Sequence, residues 1–232
     1  MVLKVYGPDF TAGGTGIVVM TLFELRVPFE LVYVDMYAGE HKHPEHLARQ
    51  PFGMVPAIDD DGFILFESRA ICRYLVERYL THAGGHLCPP PETDLQARAK
   101  FEQAASMEYG YFEPHARVVY RQAIIQPLLG LLPDEEVVSA ALEKLAITLN
   151  VYDGILAQRR FLCGEEFSLV DLFHVAFGAP LAAAGCDYMT CTPRWPNVAR
   201  WWKEITERPS FVTLGEGLKR AAKLSRRESL ES

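Results

Sequence analysis

The sequence lacks the patterns that identify secreted, zinc-binding or membrane-spanning proteins. Its 5 cysteines are an odd number without any C-x-x-C pair, so they indicate neither a disulfide framework nor a zinc site. No apolar run reaches the roughly 18 residues that cross a bilayer. Residues 1–5 are typical of a β-strand rather than of a signal peptide. We therefore expect a cytoplasmic protein that does not bind a membrane.

The sequence also lacks a concentrated basic surface outside its last residues. Lysines and arginines number 23 against 30 aspartates and glutamates, which gives a formal net charge of -7. Such a chain repels a phosphate backbone overall, so we expect no nucleic-acid partner. A local cation in a cleft still attracts a small acidic ligand, because the local field governs such binding. Small anionic molecules therefore remain candidate ligands.

The histidine-rich segment at residues 41–46 does not have the spacing of a metal site. Pro44 interrupts the helical i, i+4 pattern that would direct two histidines at one ion. The segment is therefore interpreted as a loop, and we expect no metal cofactor.

The first 82 residues follow the order βαβ-ββα. A glycine-rich stretch at 7–16 separates the first strand from the first helix, which indicates a parallel βαβ unit. Asp61-Gly62, between two apolar runs, predicts a tight hairpin. We therefore expect an α/β domain over residues 1–82. Its expected elements are strands at 2–6, 29–35, 55–58 and 62–66 and helices at 17–25 and from 67 onward.

The rest of the chain carries helical spacing. Residues 83–93 contain two consecutive glycines and three consecutive prolines, which predicts a linker. Beyond it no strand pattern survives, so we expect an all-helical domain over 94–218. Residues 219–232 are typical of a solvated, flexible tail. The expected helices lie at 95–129, 135–158, 169–184 and 196–206.

The segment 51–56 is a candidate docking site for an extended ligand. Pro56 begins a predicted strand, where proline is restricted to special positions, and X-Pro bonds are the ones that adopt the cis form. A cis bond would leave the backbone N–H and C=O of Val55 free to receive a peptide as an added strand. An ordinary edge-strand proline is the alternative interpretation.

Glu67 and Ser68 lie where a predicted strand ends and a helix begins. Unpaired N–H groups and the helix dipole make a helix start an anion site. Ser68 can donate to a carboxylate there and Glu67 can accept from an ammonium group. The pair thus suits the head of an amino acid, which carries both charges. A plain N-cap is the alternative interpretation for Ser68.

In this order, these segments resemble the phi class of glutathione transferases. The resemblance covers nearly the whole chain. It implies a thioredoxin-like N-terminal domain joined to an all-helical domain with the electrophile pocket, which together make the soluble glutathione transferase fold. The matching stretches are residues 39–42, 51–56 and 65–71 in the first domain and 126–130, 151–152, 161–171 and 201–203 in the second.

The resemblance implies glutathione as co-substrate and assigns roles to individual residues. Val55 would pair its backbone with the cysteinyl part, and Glu67 and Ser68 would hold the γ-glutamyl end. His41 and Lys42 would approach the glycyl carboxylate. Glutathione carries one ammonium and two carboxylates, so a strand edge, a helix start and a cation suit it.

Two positions depart from the family's N-P-F-G-Q-V-P motif. Met54 stands where the family usually has glutamine, and Gln50 where it has asparagine. A thioether packs well but accepts hydrogen bonds only weakly, so we expect one side-chain bond to glutathione to be lost. Met54 and Pro56 are nevertheless expected to line the glutathione site with Val55.

The catalytic serine of the phi class is also missing. The family places it after the first strand to stabilise the glutathione thiolate, but residues 9–16 contain no serine. Thr11 is the first candidate to replace it and Thr15 the second, while Ala12 aligns under another gap placement. A threonine hydroxyl donates the same bond, and backbone N–H groups of the glycine-rich stretch could assist or replace it. The resemblance is thus to a divergent or fungal-type member.

The implied activity is conjugation of glutathione to hydrophobic electrophiles in detoxification, with glutathione peroxidase chemistry as an added activity. The resemblance also implies a homodimer. A non-catalytic, ligandin-type carrier is the alternative, because the usual serine is missing. An interaction module like the transferase-like domain of an elongation factor subunit is disfavoured, because such domains precede another domain.

Overall fold

The computed structural model of the chain resolves two compact units. The first contains the described residues up to 79 together with 208–216, and the second contains the remaining described residues between 87 and 207. The residues that the structure describes are 2–8, 12–79, 87–89 and 94–216.

Most residues of the predicted domain boundaries lie outside the part of the chain that the structure describes. Of the predicted linker at 83–93, only 87–89 are described, and the predicted tail at 219–232 lies outside the described residues. The domain limits 1–82 and 94–218 therefore stay predictions.

The first unit is built on a four-stranded mixed sheet. Its strands are β1 Leu3–Gly7, β2 Phe29–Tyr33, β3 Ala57–Asp60 and β4 Phe63–Phe66, in the order β2-β1-β3-β4. The pair β1–β2 is parallel, which confirms the predicted βαβ unit, and the other two pairs are antiparallel. The thioredoxin-like arrangement expected from the resemblance is thereby confirmed.

The hairpin between β3 and β4 has the turn that the sequence predicts. Asp61 and Gly62 both have positive φ, 56° and 91°, as a two-residue type I′ turn requires. The Gly62 N–H donates to the Asp59 carboxylate over 2.7 Å. The turn therefore fixes the register that pairs Asp60 with Phe63.

The helical elements of this unit are α1 Gly13–Leu25, the 3-10 turn Glu40–Lys42, α2 Pro44–Leu47 and α3 Ser68–Arg78. Helices α1 and α3 meet through buried side chains. Ile71 and Leu75 on the predicted apolar face of α3 are fully buried. Cys72 accepts from Thr21 of α1 over 3.2 Å, and its complete burial confirms it as a core residue. The same burial raises the pKa of the Cys72 thiol to about 12.

Residues 208–216 join the first unit through a charged contact with α1. Arg208 donates to both carboxylate oxygens of Glu24 over 2.7 and 2.8 Å. The Ser210 hydroxyl also donates to Glu24. Burial acts to raise the pKa of Glu24, but the bonds from Arg208 and Ser210 outweigh it and the pKa is lowered.

The second unit consists mainly of helices, as predicted. The long helix expected at 95–129 is interrupted by π-helical turns at Glu108–Phe112 and Arg121–Ile125. The Thr148 hydroxyl donates to the Tyr111 carbonyl in the first of these turns over 2.9 Å. The helices are α4 Leu95–Met107, α5 Glu113–Tyr120, α6 Gln126–Leu128, α7 Glu135–Leu156, α8 Leu169–Phe173, α9 Val175–Ala183 and α10 Pro196–Thr206.

A capping box at the start of α8 organises the core of the second unit. Ser168 and Asp171 exchange the two reciprocal bonds of this motif. The fully buried Asp171 also accepts from the Trp201 indole over 2.8 Å and from the Leu162 N–H over 3.1 Å. Burial nevertheless raises the pKa of Asp171.

No described helix is long and apolar enough to span a membrane. No group of three or more His, Cys, Asp or Glu side chains in the described part of the chain gathers as metal ligands.

Candidate active site

The Val55–Pro56 peptide bond is cis and lies just before β3. Pairing of β3 with its neighbours begins at Ala57, which lies opposite Tyr6 of β1 and Phe66 of β4. Val55 thus lies beyond the last paired residue of the sheet, and Pro56 is buried beside it. An extended peptide could add to the backbone at this position.

Glu67 and Ser68 bring the start of α3 to the same region. Ser68 is the first residue of α3, so the unpaired N–H groups of a helix start lie around it. Glu67 has φ 70° and ψ 103°, a backbone conformation that side-chain-bearing residues rarely adopt. Such conformations cluster at ligand clamps and active sites, so Glu67 is a candidate functional residue.

Gly14 shows how closely three elements approach at this site. A Cβ placed on Gly14 would lie 2.9 Å from Pro56 Cδ and 3.1 Å from Ser68 Oγ. The first turn of α1, the cis-proline and the start of α3 are therefore in direct contact at Gly14. The absence of a side chain at Gly14 allows this close packing, which brings Val55 and Ser68 into one region.

Lys42 contacts the turn that precedes Val55. Its ammonium group donates to the Phe52 carbonyl over 3.1 Å and to the Gly53 carbonyl over 2.7 Å. Gly53 has φ 60°, and a Cβ there would lie 2.8 Å from Lys42 Nζ. An ammonium group has three N–H donors, so a carboxylate can still bind as a third acceptor.

His41 lies beside Lys42 and is a second candidate hydrogen-bonding group for a ligand. Desolvation lowers its pKa, and the nearby Lys42, His46 and His43 lower it further. Its Nδ1 atom is buried and has no hydrogen-bond partner among the described residues. A ligand group that reached this nitrogen would satisfy it.

The side chain of Met54 is about half exposed, at 52%, while its backbone is held on both sides. Its N–H donates to Gln50 Oε1 over 3.2 Å, and its carbonyl contacts His46 Nε2 at 2.7 Å. Sequence reasoning missed both partners, because it considered His46 only as a metal ligand and Gln50 only as a departure from a motif. Their i, i+4 spacing before the proline segment is the signal that could have found them.

Thr15 and Thr11 differ in what the structure describes of them. Thr15 is only 2% exposed, and a Cβ on Gly7 would lie 2.6 Å from its Oγ1, so this hydroxyl packs against β1. Thr15 Oγ1 has no partner among the described residues. Thr11 lies outside them. Ala12, the N-cap of α1, makes no side-chain capping bond.

Comparison with known proteins identifies the family. The sequence model of the glutathione S-transferase N-terminal domain matches residues 10–77, and that of the C-terminal domain matches residues 110–209. Glutathione S-transferase hmp2 of Hypomyces subiculosus is 40% identical over 213 residues, which cover 91% of this chain and 97% of that protein.

Solved structures agree with these sequence matches. Glutathione transferase F2 from Populus trichocarpa has a TM-score of 0.86 and 38% identity, covering 94% of this chain and 99% of that one. Glutathione S-transferase I from maize, in complex with an atrazine glutathione conjugate, has a TM-score of 0.84 and 32% identity over 94% of this chain and 99% of that one.

A thioredoxin-like unit with a cis-proline beside a helix start, followed by a helical unit, is the architecture of a glutathione-dependent transferase. The chain belongs to the glutathione S-transferase family and to its phi class. It is an enzyme that uses glutathione as co-substrate and conjugates it to electrophiles in detoxification.

Proposed function

We propose that glutathione binds around the cis-proline, with its cysteinyl part along Val55 and its γ-glutamyl end at the start of α3. The observation that carries this placement is that Pro56 and Ser68 both pack against Gly14, which brings the Val55 backbone and the start of α3 close together. A strand edge next to a helix start suits an extended anionic peptide.

The γ-glutamyl end carries both a carboxylate and an ammonium group. Ser68 and the N–H groups at the start of α3 supply donors for the carboxylate, and Glu67 supplies an acceptor for the ammonium. The unusual backbone of Glu67 lets this single residue connect β4 to α3 and still offer a carboxylate to the ligand. A glycine would adopt the conformation more easily but would lack that carboxylate.

The glycyl end carries the second carboxylate. Lys42 offers its third N–H donor to this group and His41 offers its buried Nδ1 side as a further partner. Desolvation lowers the pKa of His41, so Lys42 is the principal cation for this carboxylate. Met54 packs its thioether beside the tripeptide and leaves recognition to backbone groups.

Thiolate stabilisation falls to groups between β1 and α1. Thr11 is our first candidate, and the packing of the Thr15 hydroxyl against Gly7 favours Thr11 over Thr15. The N–H groups of the first turn of α1, which begins at Gly13 without a side-chain cap, are additional donors. Donors directed at an anion lower the pKa of the corresponding thiol.

The second substrate is a hydrophobic electrophile taken up by the helical unit. The maize relative, solved with an atrazine glutathione conjugate, supports an apolar aromatic second substrate. Attack by a preformed thiolate on a bound electrophile needs proximity and little further chemistry. Glutathione-dependent reduction of hydroperoxides would use the same thiolate. The active form is a cytoplasmic homodimer.

The titration of bound glutathione tests the proposed function. The ultraviolet thiolate band of glutathione in the complex should appear near neutral pH. The pKa of the bound thiol would then lie below the value of about 8.5 for a free cysteine thiol. The rate at which the same preparation turns over an activated aryl chloride should rise with pH together with that thiolate band. A thiol that binds but titrates as it does in water would instead indicate a ligandin-type carrier.

A further inference from the structure

Two buried polar side chains lie behind the segment that precedes the cis-proline. His46 is 4% exposed and Gln50 is 3% exposed, although glutamine is mostly exposed in folded proteins and histidine is intermediate in burial. They lie on α2 and on the turn after it, four residues apart. Polar groups buried this deeply have a hydrogen-bonding task.

Their task is to hold the backbone of the turn, peptide unit by peptide unit. In the 52–53 unit, the Phe52 carbonyl accepts from Lys42 and the Gly53 N–H donates to the Gln50 carbonyl over 2.9 Å. In the 53–54 unit, the Gly53 carbonyl accepts from Lys42 and the Met54 N–H donates to Gln50 Oε1.

The next peptide unit, which joins Met54 to Val55, is held on one side only. Its carbonyl contacts His46 Nε2 at 2.7 Å, so that nitrogen carries the proton and donates. The N–H of the same peptide unit belongs to Val55, and no acceptor for it lies among the described residues. The C=O and N–H of a trans peptide unit point in opposite directions.

We propose that His46 is a positioning residue that aims the Val55 N–H at the cysteinyl part of glutathione. This inference rests on the proposed placement of glutathione along Val55. By fixing the Met54 carbonyl on the buried side, His46 turns the N–H of the same planar unit toward the ligand. The bond also polarises the peptide unit, which strengthens its N–H as a donor.

The chain offers matched variants for a test. His46→Leu removes the donor, His46→Gln keeps an amide donor at the reach of Nε2, and His46→Asn has a side chain too short to reach the carbonyl. His43→Leu is the control, because His43 is an exposed histidine of the same segment. The measurements are the dissociation constant of glutathione by calorimetry, KM and kcat with an activated aryl chloride, and the melting temperature.

We expect His46→Leu and His46→Asn to raise both the dissociation constant and KM for glutathione about tenfold. In both variants the Met54 carbonyl loses its hydrogen-bond donor, so the Val55 N–H is no longer held in the direction of the ligand. His46→Gln should restore both constants to within about threefold, and His43→Leu should leave them unchanged. If His46→Leu fails to fold, the comparison of His46→Gln with His46→Asn decides.

Equal glutathione affinity in all folded His46 variants, with only the melting temperature lowered, would reduce His46 to a structural residue and overturn the inference alone. A wild-type protein without saturable glutathione binding would overturn the proposed site as well.

Discussion

Gly14 of α1 lies so close to Pro56 that a Cβ on Gly14 would sit 2.9 Å from the proline ring. Real Cβ contacts are not this short, so the ring or the first turn of α1 must shift to admit a side chain. Ser68, on a third element, packs against the same position, 3.1 Å from that Cβ. A side chain at position 14 would therefore push apart the cis-proline and the start of α3, the two segments to which the proposed site is assigned.

Gly14→Ala should weaken glutathione binding and lower the free energy of unfolding by about 1–3 kcal/mol, because overpacking displaces the cis-proline segment. Gly154→Ala is the control, since a Cβ on this glycine of α7 meets no atom within 4 Å. It should leave glutathione binding unchanged and stabilise by about 0.5–1 kcal/mol. Denaturant titrations and calorimetry measure both effects. Normal glutathione affinity in Gly14→Ala would contradict the assigned position of the site.

Ser68→Ala should weaken glutathione binding by about 1.5–3 kcal/mol, because a donor to the γ-glutamyl carboxylate is lost from a helix start. The fold should remain, since Ser68 is partly exposed and holds no core contact that an alanine cannot replace. Ser106→Ala, at an exposed position of α4, should change neither property. Retention on immobilised glutathione is a direct measurement. Unchanged retention of Ser68→Ala would refute its role.

Thr11→Val should raise the pKa of the bound thiol and lower turnover about tenfold or more while barely altering glutathione affinity, because the shape is kept and the donor is removed. Thr11→Ser should stay active. Thr15→Val should leave the thiol pKa unchanged, since the Thr15 hydroxyl packs against Gly7.

The thiol pKa of each variant, measured beside kcat, distinguishes the candidates. If Thr15→Val alone raised it, Thr15 would be the thiolate donor. If neither variant did, the N–H groups at the start of α1 would carry the stabilisation.

The Glu24–Arg208 contact should make stability depend on pH in the acid range. The pKa of Glu24 is lowered in the folded state, so its contribution is present above the ordinary glutamate pKa and is lost as pH falls through the lowered value. The melting temperature of Glu24→Gln should therefore lie below that of wild type near pH 7. The difference between the two melting temperatures should become smaller below about pH 4.

Glu207→Gln is the matched control for Glu24→Gln. Glu207 pairs with Lys203 at 3.7 Å, but both side chains are mostly exposed. Its loss should change the free energy of unfolding by less than about 0.5 kcal/mol. If the difference in melting temperature between wild type and Glu24→Gln stayed constant from pH 7 to pH 3, Glu24 would act through packing alone.

Features with a local cause could be predicted from the sequence. Asp61-Gly62 forms the hairpin turn because both positions need positive φ, and these residue types tolerate it. Ser168 and Asp171 form the capping box because its bonds span three residues. Ile71 and Leu75 are four residues apart and therefore share one face of α3, so their spacing predicts that this face is buried.

Features that depend on contacts between distant segments could not be predicted. The π-helical turn at Glu108–Phe112 interrupts a stretch whose composition is helical throughout, and Thr148 of α7 contributes to it. The burial of Thr15 depends on the close approach of Gly7. The i, i+4 spacing of His46 and Gln50 marks them as a pair, but the contact of His46 with a carbonyl eight residues further along the chain is visible only in the structure. In each of these three cases the sequence does not determine which atoms lie within contact distance.

A crystal structure of the protein with bound glutathione would test the central claim most directly. We predict that the γ-glutamyl carboxylate lies at the start of α3 within hydrogen-bond distance of Ser68, and that the cysteinyl part runs along Val55 with its backbone paired to the Val55 N–H. The glycyl carboxylate should contact Lys42. Glutathione bound elsewhere, without contact to Val55, Ser68 or Lys42, would contradict the proposed site.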